Sequence, residues 1–395
     1  MSFQFDHRQL ADEMDIYILD EQIGAGLPVW LPNGVAIRDE LERFIKRLES
    51  RAGYQRVASP HIGKASLYKR SGHLEHFKDD IFPPMKGDAE QEEFYLRPMN
   101  CPHHHKIFSA KPRSFRQLPL RLAEYGQVYR YEKSGALRGL SRVRGLCQND
   151  AHIYIDPDQA LSEICSVLQM YEEAYRALGL VGYRYRLSLG ESGARWENEE
   201  SILRQALEKM ALPYFEGLGE AAFYGPKIDV QMKFASGSEE SVASVQLDSV
   251  SAEKFDLSFI ASSGKAVRPW VIHRAPLGSH ERFVSMLLEY YDGRLPGWLA
   301  PVQLLILPAS DEDQEFAGEV AKCLVDGEVR VQVDSSLGSL SKRLRIAHKQ
   351  RPFAFLVVGQ KERSSGKAKI QLEDEVLEVD LRNLDHILRG RLARP

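Results

Sequence analysis

Two alternating segments between residues 228 and 248 constrain the fold more than any other part of this sequence. In IDVQMKF (228–234) four apolar residues alternate with three polar ones, and VASVQLD (242–248) alternates apolar and polar residues at its C-terminal end. The segment ASGSEES between them suits a hairpin loop. Alternation with a period of two is typical of an antiparallel sheet with one apolar and one polar face. We therefore expect such a sheet at the centre of the fold, with its polar face as a floor for a substrate site.

Three segments before this hairpin have apolar residues at helical spacing. They predict helices over 39–50, over 157–178 and near 196–211. The pattern changes after LPGWLAP (295–301). From there on, the predicted order is strand, helix, strand, basic helix and strand, and the predicted elements are VQLLILP, residues 311–326, EVRVQV, SKRLRIAHKQ and FAFLVVG. This order predicts a small α/β domain with a mainly parallel sheet. We place the boundary near residue 298, which gives an α+β domain over 1–297 and an α/β domain over 298–395.

Composition bounds the class of protein. The chain has 395 residues, of which 43% are hydrophobic and 27% charged, as in an ordinary globular protein of two or three domains. Its four cysteines form no C-x-x-C pair, which favours a reducing compartment. The N-terminus has no signal-peptide pattern, and no apolar run approaches the roughly 20 residues of a membrane span. We therefore expect a cytoplasmic protein without a membrane partner. The net charge of −4 gives no global nucleic-acid signature.

One segment suggests a metal. MNCPHHHKIF (99–108) places Cys101 two residues before three consecutive histidines, His103, His104 and His105. Thiolate and imidazole are the ligands that zinc prefers. The segment alone leaves open which of the four side chains would bind the metal.

A second segment is strongly basic. The residues between 113 and 145 include seven arginines and a lysine, together with four glycines. They suit either a solvated basic hairpin or a phosphate site. One guanidinium can bind two phosphate oxygens at once, and glycine lets the backbone come close to a phosphate. The segment matches neither a Walker loop nor G-x-G-x-x-G, so the two common nucleotide-binding folds are not indicated.

Several motifs together are recognisable. EYGQVYRYEKSGALRGLSRVRG resembles motif 2 of the class II aminoacyl-tRNA synthetases, GYQRVASP resembles motif 1, and PLGSHERF resembles motif 3. More narrowly, MNCPHHH, QNDAHIY, FYGPKID and IHRAPLGSHERF occur in the order and spacing of the threonyl-tRNA synthetase family, and the opening DHRQLADEMDIYI fits as well. The resemblance covers essentially the whole chain. It implies a class II catalytic domain over 1–297 and an anticodon-binding-type domain over 298–395.

The resemblance also implies how the metal is used. It assigns one Zn²⁺ per chain to Cys101, His152 and His273, and leaves His103, His104 and His105 as bystanders. Three protein ligands leave a position for substrate. Threonine would offer its amine and hydroxyl there, whereas valine lacks the hydroxyl and would leave the site unsatisfied. The same resemblance implies that Asp150 accepts a hydrogen bond from the threonine hydroxyl, and that Gln148, Tyr224 and Gln246 belong to the pocket.

For the ATP half of the reaction, the resemblance implies that Arg130 binds the α-phosphate and that Glu132 reads the adenine amino group. Arg142 and Arg282 would clamp the γ-phosphate, with Mg²⁺ bridging the phosphates. Lys227 would support the phosphates, and Gln246 counts with the ATP-binding set. His73 matches the histidine that assists proton removal from the tRNA ribose, a duty for which a pKa near 6.5 is suitable.

Some features depart from the family. The chain begins about 50 residues before motif 1, so we expect no in-chain editing of serine. Either a separate editing protein clears the error, or the enzyme tolerates some mischarging, or its duty is not general translation. In the C-terminal region, DSSLGSLSK replaces a stretch usually rich in Asn, Glu and Lys, and Gln371 stands near a family arginine. Glu362 matches an anticodon-contacting glutamate. Whether anticodon reading survives these departures is left open, as are the tRNA isoacceptor and a second full-length enzyme in the organism.

Three hypotheses follow. The first is an enzyme that activates L-threonine with ATP and loads tRNA(Thr), as a homodimer because motif 1 packs across a two-fold interface in this class. The second is a specialised paralogue that loads a particular tRNA or another acceptor, or an inhibitor-resistant duplicate. The third is a non-catalytic tRNA-binding relative, which predicts lost zinc ligands or phosphate-binding arginines, yet Cys101, Arg130 and Arg282 are present.

Overall fold

A computed structural model of the protein describes residues 5–89, 92–191, 195–325, 329–372 and 375–395. The helices in chain order are α1 (His7–Glu13), α2 (Pro32–Arg51), α3 (Ala65–Ser71), α4 (His73–His76), α5 (Cys101–Ser109), α6 (Ala160–Ala177), α7 (Glu197–Lys209), α8 (Ser251–Lys254), α9 (His280–Tyr290), α10 (Gln314–Val325), α11 (Leu340–Gln350), α12 (Gln360–Ser365) and α13 (Leu384–Arg391). Within the described ranges, no helix combines the length and the apolar character needed to cross a membrane.

The strands are mostly short. In chain order they are β1 (Tyr17–Ile18), β2 (Val29–Trp30), β3 (Gln55–Arg56), β4 (Ile62–Lys64), β5 (Met85–Lys86), β6 (Glu93–Leu96), β7 (Leu120–Tyr129), β8 (Gly145–Ile155), β9 (Arg184–Leu189), β10 (Tyr214–Leu218), β11 (Lys227–Lys233), β12 (Glu239–Asp248), β13 (Phe259–Ile260), β14 (Ala266–Val267), β15 (Trp270–Ala275), β16 (Leu304–Pro308), β17 (Val331–Val333), β18 (Ala354–Val358), β19 (Lys367–Gln371) and β20 (Val376–Asp380).

The chain forms two compact units. The large unit comprises Leu19–Pro28 and Lys46–Met286. The small unit comprises the described residues of Met1–Ile18, Val29–Ile45 and Leu287–Pro395. The functional domain boundary near residue 298 stays a prediction.

An eight-stranded sheet forms the centre of the large unit, in the order β10-β9-β11-β12-β15-β8-β7-β3. The strands from β9 to β7 pair antiparallel, and β10 and β3 add in parallel at the two edges. β11 and β12 form the hairpin that the alternating segments predict, with one register shift after Val230. The prediction of a central antiparallel sheet is therefore confirmed.

Helix α6 is fixed to the sheet through tyrosine hydroxyls. Tyr171 donates to Ser244 O on β12 at 2.6 Å and accepts from Ala275 N on β15 at 3.0 Å. Tyr175 donates to Pro276 O at 2.9 Å. Because these bonds reach the backbone of two adjacent strands, α6 fixes the central part of the sheet.

The small unit contains a five-stranded sheet in the order β17-β16-β18-β19-β20. The strands expected from the sequence, β16, β17 and β18, are parallel, as predicted. Strands β19 and β20, which the sequence reading did not identify, add antiparallel, so the sheet is mixed. The first residue of the predicted strand EVRVQV and the last residue of the predicted helix over 311–326 lie outside the described residues.

Candidate active site

Side chains from four adjacent strands of the large sheet lie in one row. Lys227 on β11 lies opposite Gln246 on β12. His273 on β15 lies opposite both Gln246 and His152, which is on β8. Residues directly opposite each other on neighbouring strands point to the same face of a sheet. The row therefore forms the floor of a cavity on the polar face.

The structure brings most of the predicted site residues to this cavity. Those that line it are Cys101, Arg130, Glu132, Arg142, Gln148, Asp150, His152, Tyr224, Lys227, Gln246, His273 and Arg282. The remaining two predicted residues, His73 and Glu362, lie elsewhere.

Cys101, His152 and His273 form a candidate metal site. Cys101 is the first residue of α5 and is 5% exposed, so the start of this helix delivers its thiol to the floor of the cavity. One potential ligand atom from each of the three residues lies within 4.8 Å of the others. A thiolate and two imidazoles suit zinc, and three protein ligands leave a position for substrate. The donor set therefore fits the metal that the sequence predicts.

Asp248 orients His273. The Nε2 of His273 lies 2.9 Å from Asp248 Oδ2, while Asp248 Oδ1 accepts from the backbone N–H groups of Val250 and Ser251, each at 2.8 Å. Burial alone would raise the pKa of Asp248, but the hydrogen bond and charge of His273 outweigh burial and lower it. The carboxylate thus holds the Nε2–H of His273 and leaves Nδ1 for a metal.

The histidine triplet contributes more than the sequence reading expected. His104 Nδ1 lies 2.8 Å from His152 Nδ1, and His104 Nε2 lies 3.0 Å from Glu124 Oε2. His104 is not one of the three candidate ligands, as expected, but it is hydrogen-bonded to one of them, a contact that the sequence did not predict. His105 is buried and lies 2.9 Å from the Tyr154 hydroxyl, which is ordinary core packing.

Two of the predicted phosphate-binding arginines are held in place by the protein. Arg282 donates through Nε to Ser141 O at 3.0 Å and through Nη1 to Ser241 O at 3.1 Å. Arg142 donates through Nε to Glu132 Oε2 at 2.9 Å. The guanidinium of Arg130 makes no side-chain hydrogen bond with the described residues, so its donors are available to a ligand.

The predicted threonine-binding residues lie beside the candidate metal site. Asn100 Nδ2 donates to Asp150 Oδ2 at 2.9 Å, and Asp150 Oδ1 lies 4.0 Å from His152 Nε2. The Tyr224 ring packs 5.1 Å from the His273 ring, measured between centroids. These contacts place a carboxylate and an aromatic wall next to the position where an amino acid would meet the metal.

The other end of the polar row carries a charged cluster. Lys227 Nζ lies 2.8 Å from Asp229 Oδ2, which also accepts from Arg186 and Ser188 at 3.1 and 2.8 Å. Gln246 Nε2 donates to Gly225 O at 2.8 Å. Lys227 and Gln246 are thus oriented by neighbours within the large unit.

His73 lies behind the cavity and is only 2% exposed. Its Nδ1 lies 2.6 Å from Ser71 Oγ, and its Nε2 lies 3.9 Å from Cys101 Sγ. Burial, reinforced by the positive charges of His273 and Lys254, lowers the pKa of His73 to about 3. His73 is therefore neutral at physiological pH in this structure, and its role in proton removal stays a prediction.

Glu362 lies in the small unit, in the first turn of α12. Its Oε2 accepts from Gly359 N at 3.1 Å, so the carboxylate caps the helix. Gln371 ends β19, and its side chain donates to Leu372 O at 2.7 Å. The anticodon contact of Glu362 stays a prediction.

Sequence reasoning missed Asp248, His104, Glu124 and Asn100. Two of them carried a usable signal. Asp248 follows Gln246 by two residues on β12 and therefore points to the same face. His104 follows Cys101 by three residues on α5 and therefore lies on the same side of the helix. Glu124 and Asn100 become relevant only through contacts between distant segments.

The comparisons with known proteins agree with this site. Residues 82–291 match the family model of the tRNA synthetase class II core domain (G, H, P, S and T), and residues 303–387 match that of an anticodon binding domain. The core-domain match covers more than half of the chain and contains the whole cavity. The chain therefore belongs to the class II aminoacyl-tRNA synthetases.

Individual relatives narrow this class. The chain is 43% identical to the threonine–tRNA ligase of Chlorobium chlorochromatii (strain CaD3) and 44% identical to that of Streptococcus gordonii, over 93% and 95% of this chain. It spans 58% and 60% of their lengths. The crystal structure of the RNA binding domain of a threonyl-tRNA synthetase from Cryptosporidium parvum superimposes with a TM-score of 0.89 at 33% identity, over 99% of both chains. Within its class, the chain is a member of the threonyl-tRNA synthetase family.

Proposed function

We propose that this protein activates L-threonine with ATP to form threonyl-adenylate and transfers the threonyl group to the 3′ end of tRNA(Thr). The observation that carries the proposal is that one cavity of a class II core domain joins the three candidate zinc ligands to the arginines expected to bind ATP. The groups expected to recognise the amino acid and those expected to bind the phosphates of ATP therefore line the same cavity.

The amino-acid half of the cavity selects the substrate. Zinc held by Cys101, His152 and His273 would supply a Lewis-acidic position for the amine and hydroxyl of threonine. Asp150 stands beside His152 with one oxygen fixed by Asn100, so its other oxygen can accept the hydroxyl hydrogen. A site built around a hydroxyl rejects an isostere that lacks it, because its polar groups are then left unpaired.

The ATP half supports the displacement at phosphorus. The threonine carboxylate attacks the α-phosphorus, a new P–O bond forms, and the bond to the leaving pyrophosphate breaks. The N–H donors of Arg130 would stabilise the charge on the α-phosphate oxygens as this occurs. Arg282, fixed by Ser141 O and Ser241 O, would bind the γ-phosphate with Arg142, and Mg²⁺ would accompany the ATP.

Transfer to tRNA completes the proposed reaction. The terminal ribose hydroxyl attacks the carbonyl carbon, AMP leaves, and the hydroxyl proton must be accepted. We retain His73 as the candidate acceptor, since its Nε2 lies 3.9 Å from Sγ of Cys101, which lines the cavity. A cytoplasmic location and a homodimer also remain part of this proposal.

Amino-acid-dependent exchange between ATP and labelled pyrophosphate, followed by tRNA charging, tests the function. We expect exchange with threonine, weaker exchange with serine, which also has an amine and a hydroxyl, and almost none with valine. We then expect charging of tRNA(Thr). Absence of exchange with every amino acid would overturn the proposal, and exchange without charging of tRNA(Thr) would overturn its second half.

A further inference from the structure

A buried line of hydrogen bonds leads away from one candidate zinc ligand. It runs from His152 through His104 to Glu124, and the three residues are at most 4% exposed. We propose that His104 and Glu124 are positioning residues that fix the tautomer of His152, so that its Nε2 carries the lone pair offered to the metal. This inference rests on the zinc site of the proposed function and extends it to residues outside the ligand set.

The direction of the line is set at Glu124. Its Oε1 accepts from Ser59 N at 3.0 Å and from both terminal nitrogens of Arg97 at 3.2 Å. Its Oε2 accepts from Ser59 Oγ at 2.7 Å. Although burial would raise the pKa of Glu124, the hydrogen bonds from His104 and Ser59 and the charge of Arg97 lower it to about 2. An ionised carboxylate only accepts hydrogen bonds, so His104 Nε2 must donate.

The direction of this first hydrogen bond also determines the tautomer of His152. Glu124 accepts at one end of the His104 ring, and at the other end the Nδ1 atoms of His104 and His152 lie 2.8 Å apart and share one hydrogen bond. A neutral imidazole has one donor and one acceptor nitrogen. With Nε2 donating to Glu124, His104 Nδ1 must accept from the Nδ1–H of His152. The Nε2 of His152 therefore has no proton and presents its lone pair.

Helix α5 gives the line its rigidity. Cys101 and His104 are three residues apart on this helix, so one element carries both a candidate ligand and the group that orients another ligand. At the far end, Ser59 anchors Glu124 through its backbone N–H and its hydroxyl. The two histidine ligands are therefore oriented by separate carboxylates: Asp248 reaches His273 directly, and Glu124 reaches His152 through His104.

The substitution Glu124→Gln tests which atoms donate and which accept in this series of hydrogen bonds, and it leaves the shape of the side chain almost unchanged. Three N–H donors surround the Oε1 position, so the amide oxygen must take that place and the NH₂ group must face His104. The amide then donates to His104 Nε2, His104 Nδ1 donates to His152, and the proton of His152 moves to Nε2. We expect zinc affinity, measured by competition with a chelator, to fall by roughly 10- to 100-fold.

A second pair of variants separates this effect from misfolding. His104→Leu removes both hydrogen bonds and should weaken zinc binding by a similar factor. His104→Gln should keep more of the affinity, because its amide can accept from His152 and donate to Glu124. His103→Gln, on the same helix, is the matched control and should bind zinc like the unmodified protein. The absorption spectrum of the Co²⁺-substituted protein gives a readout independent of activity.

The outcomes separate the inference from the proposed function. If the unmodified protein binds zinc and folded Glu124→Gln and His104→Leu bind it within twofold as tightly, the positioning role is overturned while the zinc site stands. If the unmodified protein binds no zinc, the zinc assignment is overturned and the positioning role with it. A loss in both variants, with recovery in His104→Gln, is the result that the geometry predicts.

Discussion

Arg142 donates to Glu132 at 2.9 Å, so the guanidinium expected to bind the γ-phosphate is bonded to the carboxylate expected to read adenine. The two ends of a bent ATP would therefore be received by side chains that already contact each other. ATP binding must replace or share this ion pair, which couples recognition of the base to recognition of the phosphates.

The first prediction concerns this pair. Arg142→Ala removes a charged donor to phosphate and frees the Glu132 carboxylate, and charged hydrogen bonds contribute about 1.5–3 kcal/mol. We expect the KM for ATP in pyrophosphate exchange to rise by roughly tenfold or more, with a small change in the KM for threonine. Arg116→Ala, an exposed arginine outside the cavity lining, is the control. An unchanged KM for ATP would remove Arg142 from the phosphate site.

The second prediction concerns the space beside Asn100. A Cβ at Gly126 would lie 2.3–2.5 Å from the amide group of Asn100, which holds Asp150. Gly126→Ala should therefore displace Asn100, cost about 1–3 kcal/mol in the free energy of unfolding and raise the KM for threonine. Gly135→Ala, where a Cβ meets nothing within 4 Å, is the matched control. Equal stability and equal KM values in both variants would show that Asn100 does not position Asp150.

The third prediction concerns acid stability. The pKa of Glu124 is lowered to about 2 in the folded protein, against an ordinary value of 4.5. A carboxylate with a lowered folded pKa contributes stability that is complete above its unfolded pKa and is lost as the pH falls towards the folded value. We expect this contribution to reach at most about 3 kcal/mol and to decline below pH 4.5.

Urea unfolding between pH 6 and pH 3.5 measures the contribution of Glu124 to stability. The free energy of unfolding should fall less steeply with pH in Glu124→Gln than in the unmodified protein, while exposed Glu253→Gln should keep the original slope. Parallel curves for Glu124→Gln and the unmodified protein would contradict the low pKa of Glu124.

The sequence predicted the central hairpin because alternation survives in a sheet with one polar face, as in β11 and β12. It also predicted β16 and β18, from the apolar runs VQLLILP and FAFLVVG, and β17, within EVRVQV. It missed β19 and β20, where KAKIQ and VLEVD mix charged and apolar residues on short, half-exposed strands, of which β20 forms the edge of the sheet. Such strands gain most of their order from pairing with neighbours, and a single-sequence pattern does not record pairing.

The site was predicted residue by residue from the family resemblance, and twelve of those residues meet in one cavity. Spacing alone could not have joined Cys101 to His152 and His273, since they come from a helix start and two different strands. The orienting groups behind them were harder still. Glu124 lies on β7 and its partner Ser59 precedes Pro60, so their meeting with His104 exists only in the folded chain.

The central claim is that zinc held by Cys101, His152 and His273 recognises threonine. Its most direct test is the ratio of threonine- to valine-dependent pyrophosphate exchange before zinc removal, after removal with a chelator and after zinc is restored. We expect a ratio of roughly 10⁴ with zinc, loss of threonine-dependent exchange without it, and recovery on restoration in the unmodified protein but not in Cys101→Ser. Threonine-dependent exchange that is unaffected by zinc removal, or that persists unchanged in Cys101→Ser, would contradict it.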